Sequence, residues 1–271
     1  MIEEDPKTGI LYRGWSAGSP KAALLLVHGL GTQSDSWKFL ADFFLVRNIS
    51  SYAIELRGFG ETKGLKGHID SFGTYYDDIK HLRDIIVKEN GNIKIFLVGQ
   101  SMGGVIVFTA AALNPHFFDG VICAAPAFAD KLKFTFFEYI SIFTSLLYNP
   151  KRNFNLPFTS AMCTRDIERR EAMDSDPREI RFATSKLLTG IFLAGLRGRI
   201  LRNKIKSPVL FLLAGEDTLV SSGVSRKVFE SMEAKDKSLI EYPDMYHALN
   251  IDLDREKVFE DIFKWIEGRT P

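Results

Sequence analysis

The sequence predicts an α/β protein: a mostly parallel central sheet flanked by helices, with a helical insertion late in the chain. Three observations carry this. Short apolar runs recur, each closed by a turn residue. Helix-length segments separate most of them. One interval, Ala127 to Ser207, spans 81 residues, whereas a crossover between parallel strands needs only about a dozen.

The first run is Ala22–Val27, ending at His28-Gly29. Ser51–Leu56 follows, ending at Arg57-Gly58, then Ile93–Val98, ending at Gly99. Val121–Ala125 stops at Pro126, Val209–Ala214 stops at Gly215, and Ser238–Tyr242 is the sixth. Runs of this length closed by Gly or Pro read as strands buried on both faces. Helical segments are expected over Ser36–Val46, Phe72–Glu89, Met102–Leu113, Ser221–Met232 and Asp254–Glu267. Alternating strand and helix gives a parallel sheet with helices on both faces. In the long interval, a helix over Arg178–Ile200 returns the chain to the sheet. The rest, 127–177, is an insertion into a core made of 1–126 and 178–271. Its first helix, Leu132–Tyr148, is apolar on more than one face, and seven phenylalanines crowd the segment. A lid over an apolar site and a helical decoration of the core both fit.

Composition narrows the function classes. The 271 residues carry 35 Lys+Arg against 34 Asp+Glu, a net charge of +1. A nucleic-acid binder would show a basic excess, and none exists overall. No window reaches the ~18 apolar residues of a membrane span. Cys123 and Cys163 stand 40 positions apart, which is neither a disulfide framework nor a metal-site spacing. The opening residues Ile2-Glu3-Glu4-Asp5 lack a signal peptide's apolar core. A cytoplasmic, reducing compartment is expected, with no metal and no organic cofactor.

The chemistry concentrates at Gly99-Gln100-Ser101-Met102-Gly103, a G-x-S-x-G pentapeptide between an expected strand and an expected helix. That is the setting of a nucleophile elbow. The sharp turn needs small neighbours, which Gly99, Gly103 and Gly104 supply. It would lift the Ser101 hydroxyl above the carboxyl edge of the sheet, where open α/β sheets place ligands. A serine needs a base. Of five histidines, only His247 is both late in the chain and on a loop after a strand; His28, His68, His81 and His116 lie elsewhere. The base needs a carboxylate to orient it. Asp217 follows the strand Val209–Ala214 and is preferred to Asp244, which precedes His247 on its own loop, and to Glu216. The order Ser, Asp, His on successive strand ends fits this elbow. An oxyanion needs donors. The Met102 amide is one. The Leu30 amide is the other, on a loop whose Gly29 and Gly31 permit close approach. His28 is then a residue that bonds the loop.

These residues resemble the α/β-hydrolase superfamily and, within it, the monoacylglycerol lipase and lysophospholipase branch, over roughly residues 20–268. The branch's H-G-x-G loop is His28–Gly31, and its G-x-S-M-G-G elbow is Gly99–Gly104. Thr164-Arg165-Asp166 and Asp176-Pro177 resemble the end of its cap, Leu213–Asp217 its acid segment, and Tyr246-His247 its histidine. Glu55 stands where the branch usually has Asp, before Arg57-Gly58-Phe59-Gly60. No clear equivalent of a polar glycerol seat is legible.

The resemblance implies a serine hydrolase of carboxylic esters, monoacylglycerol first, with lysophospholipid or short-chain esters as alternatives. A C–C bond hydrolase and a ligand receptor on the same scaffold are less supported. The partner is a small-molecule ester or lipid, and the chain is a monomer or homodimer. Lys131, Lys133, Lys151 and Arg152 beside Phe and Leu suit transient docking on a lipid surface; a solvated face over a buried tunnel fits equally.

Overall fold

The computed structural model describes residues 2–132 and 134–270. The chain opens with β1 (Ile2–Glu4), β2 (Leu11–Trp15) and β3 (Ala22–Val27). A 3₁₀ turn, Ser34–Trp37, leads into α1 (Lys38–Leu45), followed by β4 (Ile49–Glu55) and α2 (Gly73–Asn90). Then come β5 (Lys94–Gln100), α3 (Met102–Leu113) and β6 (Gly120–Ala124). The long interval holds α4 (Phe136–Tyr148), β7 (Asn153–Asn155), α5 (Ser160–Cys163), α6 (Ile167–Ser175), β8 (Phe182–Thr184) and α7 (Ser185–Leu201). The chain closes with β9 (Val209–Ala214), α8 (Ser222–Glu230), β10 (Lys237–Tyr242) and α9 (Arg255–Glu267).

Among the described residues, eight strands form one sheet in the order β1-β2-β4-β3-β5-β6-β9-β10. From β4 to β10 every pairing is parallel. β1 and β2 add an antiparallel edge that the sequence reading did not contain. Side chains of a strand alternate between faces, and both faces are filled. Ala23, Leu25 and Val27 of β3 join the core built with α2, α3 and α7. Ala22, Leu24 and Leu26 of the same strand join the core built with α1 and α9. The parallel strands therefore had to be apolar throughout.

The long interval differs from the expected boundaries. Its first helix begins at Phe136, because Thr135 and Glu138 form a capping box at its start. The returning helix begins at Ser185 rather than Arg178. Residues 178–181 run without helix, and Phe182–Thr184 pair antiparallel with Asn153–Asn155. Cys123 and Cys163 are both free and buried, and burial pushes the Cys163 thiol up to about 12. Among the described residues no helix is long and apolar enough to cross a membrane.

Candidate active site

Because β5, β9 and β10 run parallel, the loops after them open at the same edge of the sheet. Ser101 follows β5, Asp217 follows β9 and His247 follows β10. Ser101 sits at φ 57°, ψ −120°, a strained conformation for a residue with a side chain. Neighbours enforce it. The Ser101 N–H donates to Ala124 O at 2.9 Å, and the Ala127 N–H donates to Ser101 O at 3.1 Å. The glycines of the elbow are sites of contact. A Cβ on Gly99 would stand 2.3 Å from Gly103 O, and one on Gly103 would stand 2.2 Å from Val27 O.

His247 and Asp217 are bonded directly, His247 Nδ1 donating to Asp217 Oδ2 at 2.8 Å. Asp217 Oδ1 accepts the amides of Leu219 and Val220, both at 2.9 Å. Burial alone would raise this carboxyl; the His247 charge and the bonds from His247, Val220 and Leu219 outweigh it and hold the pKa below the ordinary value. With Nδ1 committed, His247 Nε2 has no acceptor or donor among the described residues. It is the ring atom left to exchange a proton. Ser101 and His247 line one cavity of about 110 Å³, together with Leu30, Met102 and Trp37. The Asp217 loop is fixed from the long interval, where Lys131 Nζ donates to Asp217 O at 2.6 Å. Asp244 is exposed and makes no part of this arrangement.

The loop His28–Gly31 lies against the serine. A Cβ on Gly29 would stand 3.2 Å from Ser101 Cβ. Among the described residues the amides of Leu30 and Met102 donate to no other group. His28 is spent on structure. Its Nε2 accepts the Leu56 amide at 3.1 Å, so Nδ1 carries the proton and donates to Gly29 O at 2.9 Å. Burial lowers its pKa, against the pull of Glu55, and keeps the ring neutral. Glu55 is buried and clamps the neighbouring turns, accepting from Ser34 N at 3.1 Å and Glu61 N at 3.3 Å.

Several residues of the site carried no motif. Thr32, Glu179 and Arg181 line the same cavity as Ser101. Burial raises the Glu179 carboxyl, opposed by Thr32 and Arg181. Asp252 is buried behind His247; it accepts the Tyr246 amide at 3.0 Å and, from the long interval, Thr164 Oγ1 at 2.9 Å and Arg165 N at 2.7 Å. The Thr164-Arg165-Asp166 segment was the one signal of this link in the sequence. A second chamber of about 350 Å³ adjoins the first, sharing Leu30, Leu132 and Ile191 and walled by α4 and α7 through Ile142, Phe143 and Phe192. Among the described residues no cluster of three or more His, Cys, Asp or Glu could hold a metal ion.

Known proteins share this architecture. The monoglyceride lipase of Homo sapiens is 28% identical over 267 residues, covering 96% of this chain and 88% of its own. The solved monoacylglycerol lipase of Paleococcus ferrophilus superposes with a TM-score of 0.85 at 25% identity, over 96% of this chain and 99% of the other. A soluble variant of the Saccharomyces cerevisiae monoglyceride lipase, in complex with a substrate analog, has the same fold, with a TM-score of 0.88 at 22% identity over 100% and 95% of the two chains. The family model described as serine aminopeptidase, S33 matches residues 18–254. With its parallel sheet, its serine at the turn after β5 and that match over most of its length, the chain belongs to the serine aminopeptidase S33 family of α/β-hydrolases.

Proposed function

We propose that this chain is a carboxylic ester hydrolase acting on monoacylglycerol through Ser101, His247 and Asp217. The observation that carries it is the 2.8 Å bond from His247 Nδ1 to Asp217, which leaves Nε2 open to the cavity that Ser101 lines. Nε2 takes the Ser101 proton as Oγ attacks the ester carbonyl carbon. The amides of Leu30 and Met102 receive the oxyanion. Collapse breaks the bond to the alcohol, which leaves with the proton from His247. Water, deprotonated by the same nitrogen, then attacks the acyl-enzyme; the bond to Ser101 Oγ breaks, Oγ recovers the proton from His247 Nε2, and the fatty acid is released. The adjoining chamber walled by α4 and α7 holds the acyl chain, and segment 127–177 acts as a cap over it. The lipases of Homo sapiens and Paleococcus ferrophilus named above support this substrate class.

The cap also offers a surface for a lipid aggregate. Phe136, Phe137 and Leu147 of α4 are 73%, 79% and 89% exposed. The basic contribution is smaller than the sequence suggested. Lys131 is tied to Asp217 O, and Lys133 lies outside the described residues. Lys151 and Arg152 are exposed. We infer transient docking that is chiefly apolar.

The test is fatty-acid release from chain-matched 1-monoacylglycerols, lysophosphatidylcholines and short soluble esters, by the wild type and Ser101→Ala. Preference for medium or long monoacylglycerol, lost on the order of 10⁶-fold in Ser101→Ala, is the expected result. Activity on lysophospholipid alone moves the head group, and activity on short esters alone removes the lipid substrate. Full activity in Ser101→Ala overturns the mechanism.

A further inference from the structure

The cavity over Ser101 contains an ion pair that the bond-breaking steps do not use. Residues 179–181 run beside the loop His28–Gly31, fastened by the Ile180 N–H donating to Gly31 O at 2.8 Å. Alternation along this segment buries Ile180 in the core and sets Glu179 and Arg181 on the cavity wall. Thr32 Oγ1 donates to Glu179 Oε1 at 2.7 Å. Arg181 Nη1 donates to Glu179 Oε2 and to Ile180 O, both at 3.2 Å. The guanidinium lies 5.2 Å from the centre of the Phe158 ring.

Gly31 makes room for this arrangement. A Cβ there would stand 2.5 Å from Ile180 O and 3.7 Å from Arg181 Nη1, at a φ of +83°. The pair therefore lies beside Gly31, on the wall of the cavity that Leu30 also lines. Among the described residues each Glu179 oxygen accepts a single bond and retains a lone pair. Arg181 Nε and Nη2 donate to no other described residue. Opposite charges in an apolar cavity bear a desolvation cost that their mutual attraction does not reliably recover. A few convergent polar groups in an otherwise apolar pocket are the usual means of orienting a ligand.

We propose that Thr32, Glu179 and Arg181 form a head-group subsite that selects esters of a neutral polyol. One ligand hydroxyl donates to Glu179, and another accepts from Arg181. An anionic phosphate is disfavoured, because it would meet the Glu179 carboxylate and a pair with no net positive charge. The inference rests on the ester-hydrolase reading above and deepens it by placing the alcohol half of the substrate.

The experiment compares a 1-monoacylglycerol with the methyl ester of the same fatty acid, both below their aggregation limits. In the wild type kcat/KM is expected to favour the glycerol ester at least tenfold. Glu179→Gln and Arg181→Met are expected to reduce that ratio at least tenfold, mainly through KM, and Thr32→Val by about threefold. A variant too weak to assay is examined instead as binding of the two esters on a Ser101→Ala background, read by fluorescence of Trp37 in the cavity wall. A ratio that moves less than twofold in both charge variants overturns the subsite, as does a wild type that treats the two esters alike. Failure of the wild type to cleave either ester sinks the functional reading instead.

Discussion

Ser101 adopts a conformation that a serine takes only when its surroundings leave no alternative, and glycines make those surroundings possible. Two of them predict different outcomes. Gly103→Ala drives a methyl group to 2.2 Å from Val27 O and 2.6 Å from His28 O. Backbone must shift, so a lowered Tm is expected, with a destabilisation of about 1–3 kcal/mol or more. Gly29→Ala meets Ser101 Cβ at 3.2 Å. Calorimetry should find its Tm within a few degrees of wild type, while kcat falls because the serine is displaced. Equal losses of Tm in the two variants would contradict this division. Asp217→Asn should keep the fold and lower kcat by about 10³–10⁴-fold, through loss of the correct His247 tautomer. Asp252 gives a pH prediction. Burial raises this carboxyl, but the bonds from Tyr246, Arg165 and Thr164 hold it below its ordinary 3.8. A depressed native pKa means stability that is complete above the unfolded value and lost as pH falls through the native one. The urea midpoints of wild type and Asp252→Asn should therefore differ most at neutral pH and converge as pH drops below about 3.8.

Among the elements, legibility followed burial. β3, β5, β6 and β9 are shielded on both faces, so their sequences are nearly unbroken apolar runs and were readable. β1 and β2 read Ile2-Glu3-Glu4 and Leu11–Trp15; the first largely exposed, the second half-buried, and both antiparallel at an edge, they leave no such run. The segment 178–181 was read as the start of a returning helix over Arg178–Ile200, yet the bond from the Ile180 N–H to Gly31 O keeps it out of the helix. That bond, together with the Leu156 amide donating to Arg181 O at 2.9 Å, hid Glu179 and Arg181 from a sequence reading. The candidates Ser101 and Asp217 could be placed because each follows a strand buried throughout or nearly so; His247 follows β10, which is only partly buried, and its run was the least distinct of the six. At α4 the Thr135–Glu138 box fixes the helix start. Thr135→Ala should speed amide exchange over residues 136–140 without moving the global Tm. The exposed side of the same helix predicts that Phe136→Ser with Leu147→Ser weakens flotation with liposomes several-fold. Cleavage of a soluble short ester should persist; unchanged flotation would remove the docking proposal.

Across the whole molecule, one ionic network joins distant parts of the chain. Arg178 Nη2 meets Asp176 at 2.8 Å and Asp35 at 3.5 Å, and its Nη1 meets Glu61 at 3.3 Å. Arg13 of β2 reaches the same Glu61 at 2.5 Å. These groups are partly exposed, so each pair contributes about 0.2–1 kcal/mol and is screened by salt. Arg178→Gln should lower Tm by about 2–4 °C in dilute buffer, and the difference should shrink in molar salt. A deficit independent of salt would assign Arg178 a packing role instead.

The sheet has two open margins, and neither invites company. At one end β1 is three residues long and carries Glu3 and Glu4. At the other, β10 begins with Lys237 and presents Glu241, paired to Arg226 of α8. Short, charged margins resist strand-to-strand addition. Two copies that tried to pair through β1 would set Glu3 and Glu4 of one against those of the other, and a strand added at β10 would have to pass the Arg226–Glu241 ion pair. Self-association in a concentrated solution should therefore proceed through the apolar helices α4 and α7, by face-to-face contact that detergent dissolves. It should not follow the cross-β route that ends in fibrils.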